Sequence, residues 1–191
     1  ASISGGTDII SCFALGNETL PVHEGELQCA GLGMDIAFYD EQGRAEVGVR
    51  GELVCRRPFP SMPTGFWNDP DGARFHAAYF DHFDNTWAHG DYGEATPNGG
   101  VIIYGRSDAV LNPGGVRIGT AEIYRQVEKV DAVVDSICVG QDRDDDVRVV
   151  LFVALREGLS LDAALEAEIR QTIRANTTPR HVPAVIAQVP D

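Results

Sequence analysis

The sequence predicts an α+β fold in two parts: a β-rich region over residues 1–107 and a small α+β unit over residues 108–191. Two observations predict it. Short runs of β-branched and aromatic residues bounded by turn residues fill the first part. After residue 108 the apolar residues step by three and four in two segments, and those segments alternate with apolar runs of strand length.

Taken in order, "MDIAFYDEQGRAEVGVRGELVC" offers a strand at Ile36–Tyr39, a turn at 40–43 and a second strand at 52–55. "RRPFPSMPTGFWNDPDG" carries four of the ten prolines and reads as a rigid, irregular connection, because proline cannot donate within an inner ladder. In "HGDYGEATPNGGVIIYG", Tyr92, Glu94 and Thr96 alternate, Asn98-Gly99 supplies a turn, and residues 101–104 return as a hairpin partner. Thr120 can cap a helix with Ile123, Val127 and Val130 on one side. Residues 135–140 and 147–155 read as strands. The second has apolar residues on both faces, which predicts burial on both. Ser160 opens a helix in which Leu161, Leu165, Ile169 and Ile173 step by four, and residues 181–189 read as the last strand. The acidic tract 142–146 reads as a solvated turn, and no internal repeat is visible.

Composition narrows the function classes. The chain has 191 residues, 43% hydrophobic, enough for a core, and a formal net charge of −14. That balance argues against sequence-independent nucleic-acid binding and against docking on an anionic membrane, both of which need a basic face. An anionic small molecule can still be bound through locally focused arginines, and every basic residue except Lys129 is arginine. Cys12, Cys29, Cys55 and Cys138 lie far apart, so they read as reduced, mostly buried thiols of a cytoplasmic protein rather than a disulfide frame or a zinc site. The first residues show no signal peptide, and no run approaches the ~18 apolar residues of a membrane helix.

Three constellations can carry chemistry. In "SGGTD", Ser4–Asp8, a glycine pair permits backbone approach to a phosphate, the hydroxyl can donate to it, and the carboxylate can hold Mg²⁺. The same residues also suit a tight turn into a strand. In "WAHGDYGE", Asp91 is placed to accept two hydrogen bonds from a ribose diol, or to cap a turn. His89 reads as an ordinary histidine. In "GRSDAVLNPGGVRIGTAEIY", Pro113 and Gly114 suit the centre of a type II turn within a loop wider than a minimal hairpin. Arg106, Asp108 and Arg117 flank that loop. They suit either phosphate and ribose contacts or a surface ion pair.

Together, in this order and spacing, the three segments resemble the adenylate-forming superfamily of acyl-CoA synthetases, adenylation domains and luciferases. "PFPSMP", "FWNDPDG", "AYFDHFDNTWAHGD" and "TPRHVP" look most like its acetoacetate-activating branch, and the similarity runs from Ser4 to Asp191. The resemblance implies a fold in which residues 1–107 are the last, distorted-barrel-like part of a large N-terminal domain. Residues 108–191 would then be most of a mobile C-terminal lid. It also implies an activity: ATP-dependent activation of a carboxylic acid to an acyl-adenylate, then displacement of AMP by the coenzyme A thiol.

By the same resemblance Thr7 touches the α-phosphate and Asp8 helps hold Mg²⁺, with a shorter arm than the glutamate more usual there. Asp91 binds the ribose hydroxyls and Arg106 reaches the ribose. Asp108 is the hinge, and Gly115 and Arg117 belong to the coenzyme A surface. Arg170 falls near a coenzyme A contact but reads better as an exposed helix arginine. The family's phosphate loop precedes the segment matching "SGGTD", and its adenylate-forming lysine follows the segment matching "VIAQVPD". Lys129 is on a different helix and does not fill that role. The expectation is therefore a part of an acetoacetate–CoA ligase, inactive by itself, whose partners are ATP, acetoacetate, coenzyme A and a missing N-terminal part of its own chain. The alternatives are another short-chain acyl-CoA synthetase, or a non-catalytic nucleotide- or coenzyme A-binding module.

Overall fold

The computed structural model describes residues 3–143 and 146–190, in two compact units, Ala1–Ile103 and Tyr104–Asp191. Two residues of the acidic tract, Asp144 and Asp145, lie outside the described residues.

The first unit holds two antiparallel sheets. One is built of β1 (Ser4–Gly6), β2 (Ser11–Leu15) and β3 (Cys29–Ala30), in that order. The other runs β4 (Ile36–Tyr39), β5 (Gly51–Cys55), β6 (Trp87–Ala95) and β7 (Val101–Arg106). A bridge between Leu27 and Val101 links the loop before β3 to β7. Phe13, Phe38, Leu53, Phe59 and Trp87 form the core. Around Trp87 the aromatic rings meet mostly edge-on, as ring quadrupoles favour. The irregular segment before residue 73 ends in a short helix, α1 (Ala73–Tyr79), with no buried residue. Sequence periodicity missed it for that reason.

The second unit begins within β7. A loop closed by the Leu111–Ile118 bridge leads to α2 (Thr120–Val127). The hairpin β8 (Val133–Arg143) and β9 (Asp146–Leu155) follows, then α3 (Ala163–Asn176) and β10 (Val185–Gln188). The sheet order is β10-β9-β8. β9 sits between an antiparallel and a parallel partner, and α3 supplies the crossover that a parallel pair requires. Ile118, Ile123, Val127, Leu151, Val153, Ile169, Ile173 and Ile186 make the core. Residues 149–151, 153 and 154 of β9 are buried, so both of its faces are largely covered as expected.

Three expectations shift. Thr120 is the first helical residue rather than the cap. Gly119 is the cap position, and its N–H donates to Glu122 Oε2 at 3.1 Å. The second long helix starts after Asp162, whose side chain accepts from the Leu165 N–H at 2.8 Å, so Asp162 caps it in place of Ser160. The last strand is shorter than expected, because Pro179–His181 forms a helical turn. The Pro-Gly-Gly segment keeps the expected left-handed Gly114 (φ 58°) and adds a left-handed Gly115 (φ 76°), with overlapping turns closed by the Gly115 N–H on the Asn112 carbonyl at 3.4 Å and the Val116 N–H on the Pro113 carbonyl at 3.3 Å.

Candidate functional site

In the first unit, packing brings "SGGTD" and "HGD" together. Ser4 is buried and donates from Oγ to Asp91 Oδ2 at 2.7 Å, across 87 residues of chain. The glycine pair has a steric cause that the sequence does not reveal. A Cβ on Gly5 would lie 2.3 Å from the Ser11 carbonyl oxygen on β2, and one on Gly6 would lie 3.1 Å from His89 Cε1. Beyond the pair, Thr7 and Asp8 project as exposed residues, and the turn closes with the Ile10 N–H on the Thr7 carbonyl at 3.2 Å. Ile10 holds φ 49° with its side chain exposed. This is a strained state for a β-branched residue and of a kind that collects at functional sites.

On the other side, Glu52 pairs with Tyr92 and Val54 with Ala88, so residues 89–91 of β6 oppose the single residue Leu53. This bulge re-aims His89 and Asp91, and the Glu52 carboxylate takes the Gly90 N–H at 2.5 Å. His89 Nε2 lies 3.8 Å from Asp91 Oδ2, and its ring packs edge-on against Phe13 at 4.7 Å.

One residue that sequence reasoning missed is Tyr79. Its hydroxyl donates to Asp8 Oδ2, and its ring is stacked on Trp87 at 3.6 Å and 13°. The stack fixes where the phenol oxygen sits, so the Asp8 carboxylate is oriented from α1. Only its place within "AYFDHFDNTWAHGD" hinted at this. Asp8 is exposed, and among the described residues no group of three or more His, Cys, Asp or Glu could hold a metal. A lone oriented carboxylate of this kind fits Mg²⁺ delivered on phosphates, since that ion keeps most of its ligands from water and phosphate.

In the second unit, Arg106 Nε stands 3.6 Å from Asp108 Oδ1, an exposed pair worth about 0–1 kcal/mol. Arg117, Gly115 and Val116 are exposed on the loop that ends at the Leu111–Ile118 bridge. The loop glycines differ. Gly114 (φ 58°) is crowded by Arg180, whereas a Cβ on Gly115 (φ 76°) would meet nothing within 4 Å. Arg170 is a brace: it pairs with Glu166 at 2.6 Å and donates to the Pro183 and Ala184 carbonyls. That accounts for it without a ligand. A second feature missed from sequence is His181. It is buried, with Nδ1 2.9 Å from Thr178 Oγ1 and Nε2 3.4 Å from Glu122 Oε2, the same oxygen that takes the Gly119 N–H.

No family model matches the chain. It is, however, 61% identical over all 191 residues to acetoacetyl-coenzyme A synthetase of Rhizobium meliloti strain 1021, and covers 29% of that protein. It is 50% identical over 98% of its length to the acetoacetyl-CoA synthetase of Mus musculus, covering 28% of it. Over its whole length the chain is similar to one part of the acetoacetyl-CoA synthetases. The solved acetoacetyl-CoA synthetase from Streptomyces lividans superposes with a TM-score of 0.92 at 47% identity, over 99% of this chain and 28% of that one. The α+β fold described above is thus that of the C-terminal part of an adenylate-forming ligase, and the chain spans less than a third of its relatives' length. Among the described residues no helix is long and apolar enough to cross a membrane.

Proposed function

We propose that this chain is part of an acetoacetate–CoA ligase. A carboxylate oxygen of acetoacetate attacks the α-phosphorus of ATP, pyrophosphate leaves, and acetoacetyl-AMP forms. The coenzyme A sulfur then attacks the acyl carbon, the bond to AMP breaks, and the thioester is released. The observation that carries the reading is the Ser4–Asp91 hydrogen bond, which ties two motifs far apart in sequence into one polar face.

On this reading Thr7 donates its hydroxyl to the α-phosphate and the oriented Asp8 carboxylate holds Mg²⁺. Bound there, the ion supplies charge neutralisation on the phosphates. Asp91 accepts the ribose hydroxyls, and Arg106 donates to the ribose with a forked head that lysine lacks. Asp108 is the hinge at the start of the lid, residues 108–191, and residues 1–107 belong to the large domain. Gly115 lets coenzyme A approach bare backbone, supported by the open space at its Cα, and Arg117 meets its phosphate. The catalytic work is positioning and neutralisation, so no covalent enzyme intermediate is required. We place the protein in the cytoplasm, a reading supported by its four free thiols.

The test is pyrophosphate exchange into ATP by the full-length polypeptide containing this segment, with acetoacetate and with acetate. Acetoacetate-dependent exchange is expected, reduced roughly 10²-fold by Asp91→Asn. The 191-residue chain alone is expected to give none. Exchange with acetate in preference to acetoacetate would reassign the acid, and exchange insensitive to Asp91→Asn would remove that residue from the site.

A further inference from the structure

We infer that Arg180 and Asp146 are positioning residues that lock the Pro113–Gly115 loop in the shape that receives coenzyme A; the inference rests on the reading of Gly115 given above. Three segments far apart in sequence converge on Gly114. Its N–H donates to Asp146 Oδ1 at 2.7 Å, from the start of β9. Its carbonyl and that of Pro113 both accept from Arg180 Nη1, at 3.0 and 2.9 Å, from the helical turn after α3. Gly114 is thereby held at its donor and at its acceptor.

The grip explains the glycine. At φ 58° the position favours a residue without Cβ, and a Cβ there would lie 2.2 Å from Arg180 Nη1. The next residue has the opposite character: Gly115 is also left-handed, at φ 76°, yet nothing occupies the space a Cβ would fill. One glycine is filled by the brace, and the other faces solvent. A loop with two glycines in succession has a large conformational freedom to lose on binding. Holding it from both sides removes that cost before the ligand arrives, which is how pre-organisation raises affinity. The two braces also support each other. The Asp146 carboxyl is held below its usual range, first by the Gly114 N–H and then by the Val147 N–H, with the Arg180 charge acting in the same direction.

The experiment uses the full-length enzyme and separates the half-reactions. Arg180→Ala is expected to raise KM for coenzyme A roughly tenfold, to leave acetoacetate-dependent pyrophosphate exchange within about twofold, and to speed amide exchange over residues 111–118. Arg180→Lys, which keeps a donor in reach of both carbonyls, is expected to restore most of the loss. Asp146→Ala, acting on the opposite side of Gly114, should give the same pattern. Equal losses in both half-reactions would overturn the inference, because they would mark a general structural role. Gly115→Ala distinguishes the remaining failures. If it raises KM for coenzyme A while Arg180→Ala and Asp146→Ala do not, coenzyme A uses the loop but the braces are idle. If none of the three changes that KM, the loop does not receive coenzyme A, and the underlying reading fails with the inference.

Discussion

Gly119→Ala is the sharpest test of the second unit's packing. Gly119 is buried at the cap position of α2, and a Cβ there would lie 2.2 Å from the Tyr104 carbonyl oxygen, 2.6 Å from Tyr104 Cβ and 2.8 Å from its carbonyl carbon. Ordinary contact begins near 3.4 Å, so more than an ångström must open. The obstacle is strand backbone and has no rotamer by which to yield. Overpacking of this kind costs about 1–3 kcal/mol, and the upper end applies against main chain. Displacing Gly119 also breaks its bond to Glu122, and losing a cap costs about 0.5–2 kcal/mol. The unfolded chain returns about 0.4–1 kcal/mol, because alanine has less backbone freedom to lose. The net is roughly 2–4 kcal/mol. Gly115→Ala is the control. It meets open space, so it carries only the roughly 1–2 kcal/mol of left-handed strain, offset by the same unfolded-state term. Urea titration of the 191-residue chain reads the difference region by region. Both tryptophans lie in the first unit, whereas α2 and α3 dominate helical circular dichroism in the second. Gly119→Ala should lower the helical midpoint by at least about 0.7 M at an m-value of about 1–3 kcal/mol/M. A helical midpoint for Gly119→Ala at or above that of Gly115→Ala would refute the packing argument.

Three further outcomes are expected. Tyr79→Phe removes the hydroxyl that orients Asp8, and should raise the Mg²⁺ concentration needed for half-maximal pyrophosphate exchange by the full-length enzyme roughly 2- to 10-fold; an unchanged Mg²⁺ titration would release Tyr79 from that role. Because the Asp146 carboxyl is held below its ordinary value, its contribution is present above the unfolded pKa of about 3.9 and is lost as pH falls through the depressed native value. Acid unfolding of the helical signal between about pH 4 and pH 2 should therefore be shallower in Asp146→Asn. Burial pushes the Cys138 thiol up to about 12, so its thiolate fraction at pH 8 is on the order of 10⁻⁴. A thiol reagent should find Cys12 and Cys29 first in the native chain, and Cys138 and buried Cys55 only with denaturant.

What the sequence discloses depends on how each element is stabilised. The hairpins β4–β5 and β6–β7 and the α-β-β-α-β order were legible, because a half-buried strand alternates and an amphipathic helix steps by four. β1 was not, since it consists of Ser-Gly-Gly and contains no β-former; its strand state comes from pairing with β2. α1 was not, since it buries no residue and its cap position is Gly72, while the side chain that takes its Arg74 and Phe75 N–H groups, Asp69, stands three residues earlier. The start of α3 was misplaced because Ser160 and Asp162 are both competent caps, and only the Leu165 N–H contact decides between them.

The site follows the same division, and the glycines show it most clearly. Read as text, the glycines of "SGGTD" and "NPGG" look alike: each suggests bare backbone against which a ligand can lie. In space they separate into three kinds. Gly5 is small because the Ser11 carbonyl is against it, as Tyr104 is against Gly119 just beyond the second motif. Gly114 is small because Arg180 has taken the room. Gly115 alone among these is small with nothing beside it. Packing needs no further cause for the first three. At Gly115 the left-handed backbone alone favours glycine, as it does at Gly25, Gly48, Gly72, Gly99 and Gly158, which likewise meet nothing within 4 Å. Of the two loop glycines it is therefore Gly115, and not Gly114, that has the open face the proposed coenzyme A contact requires.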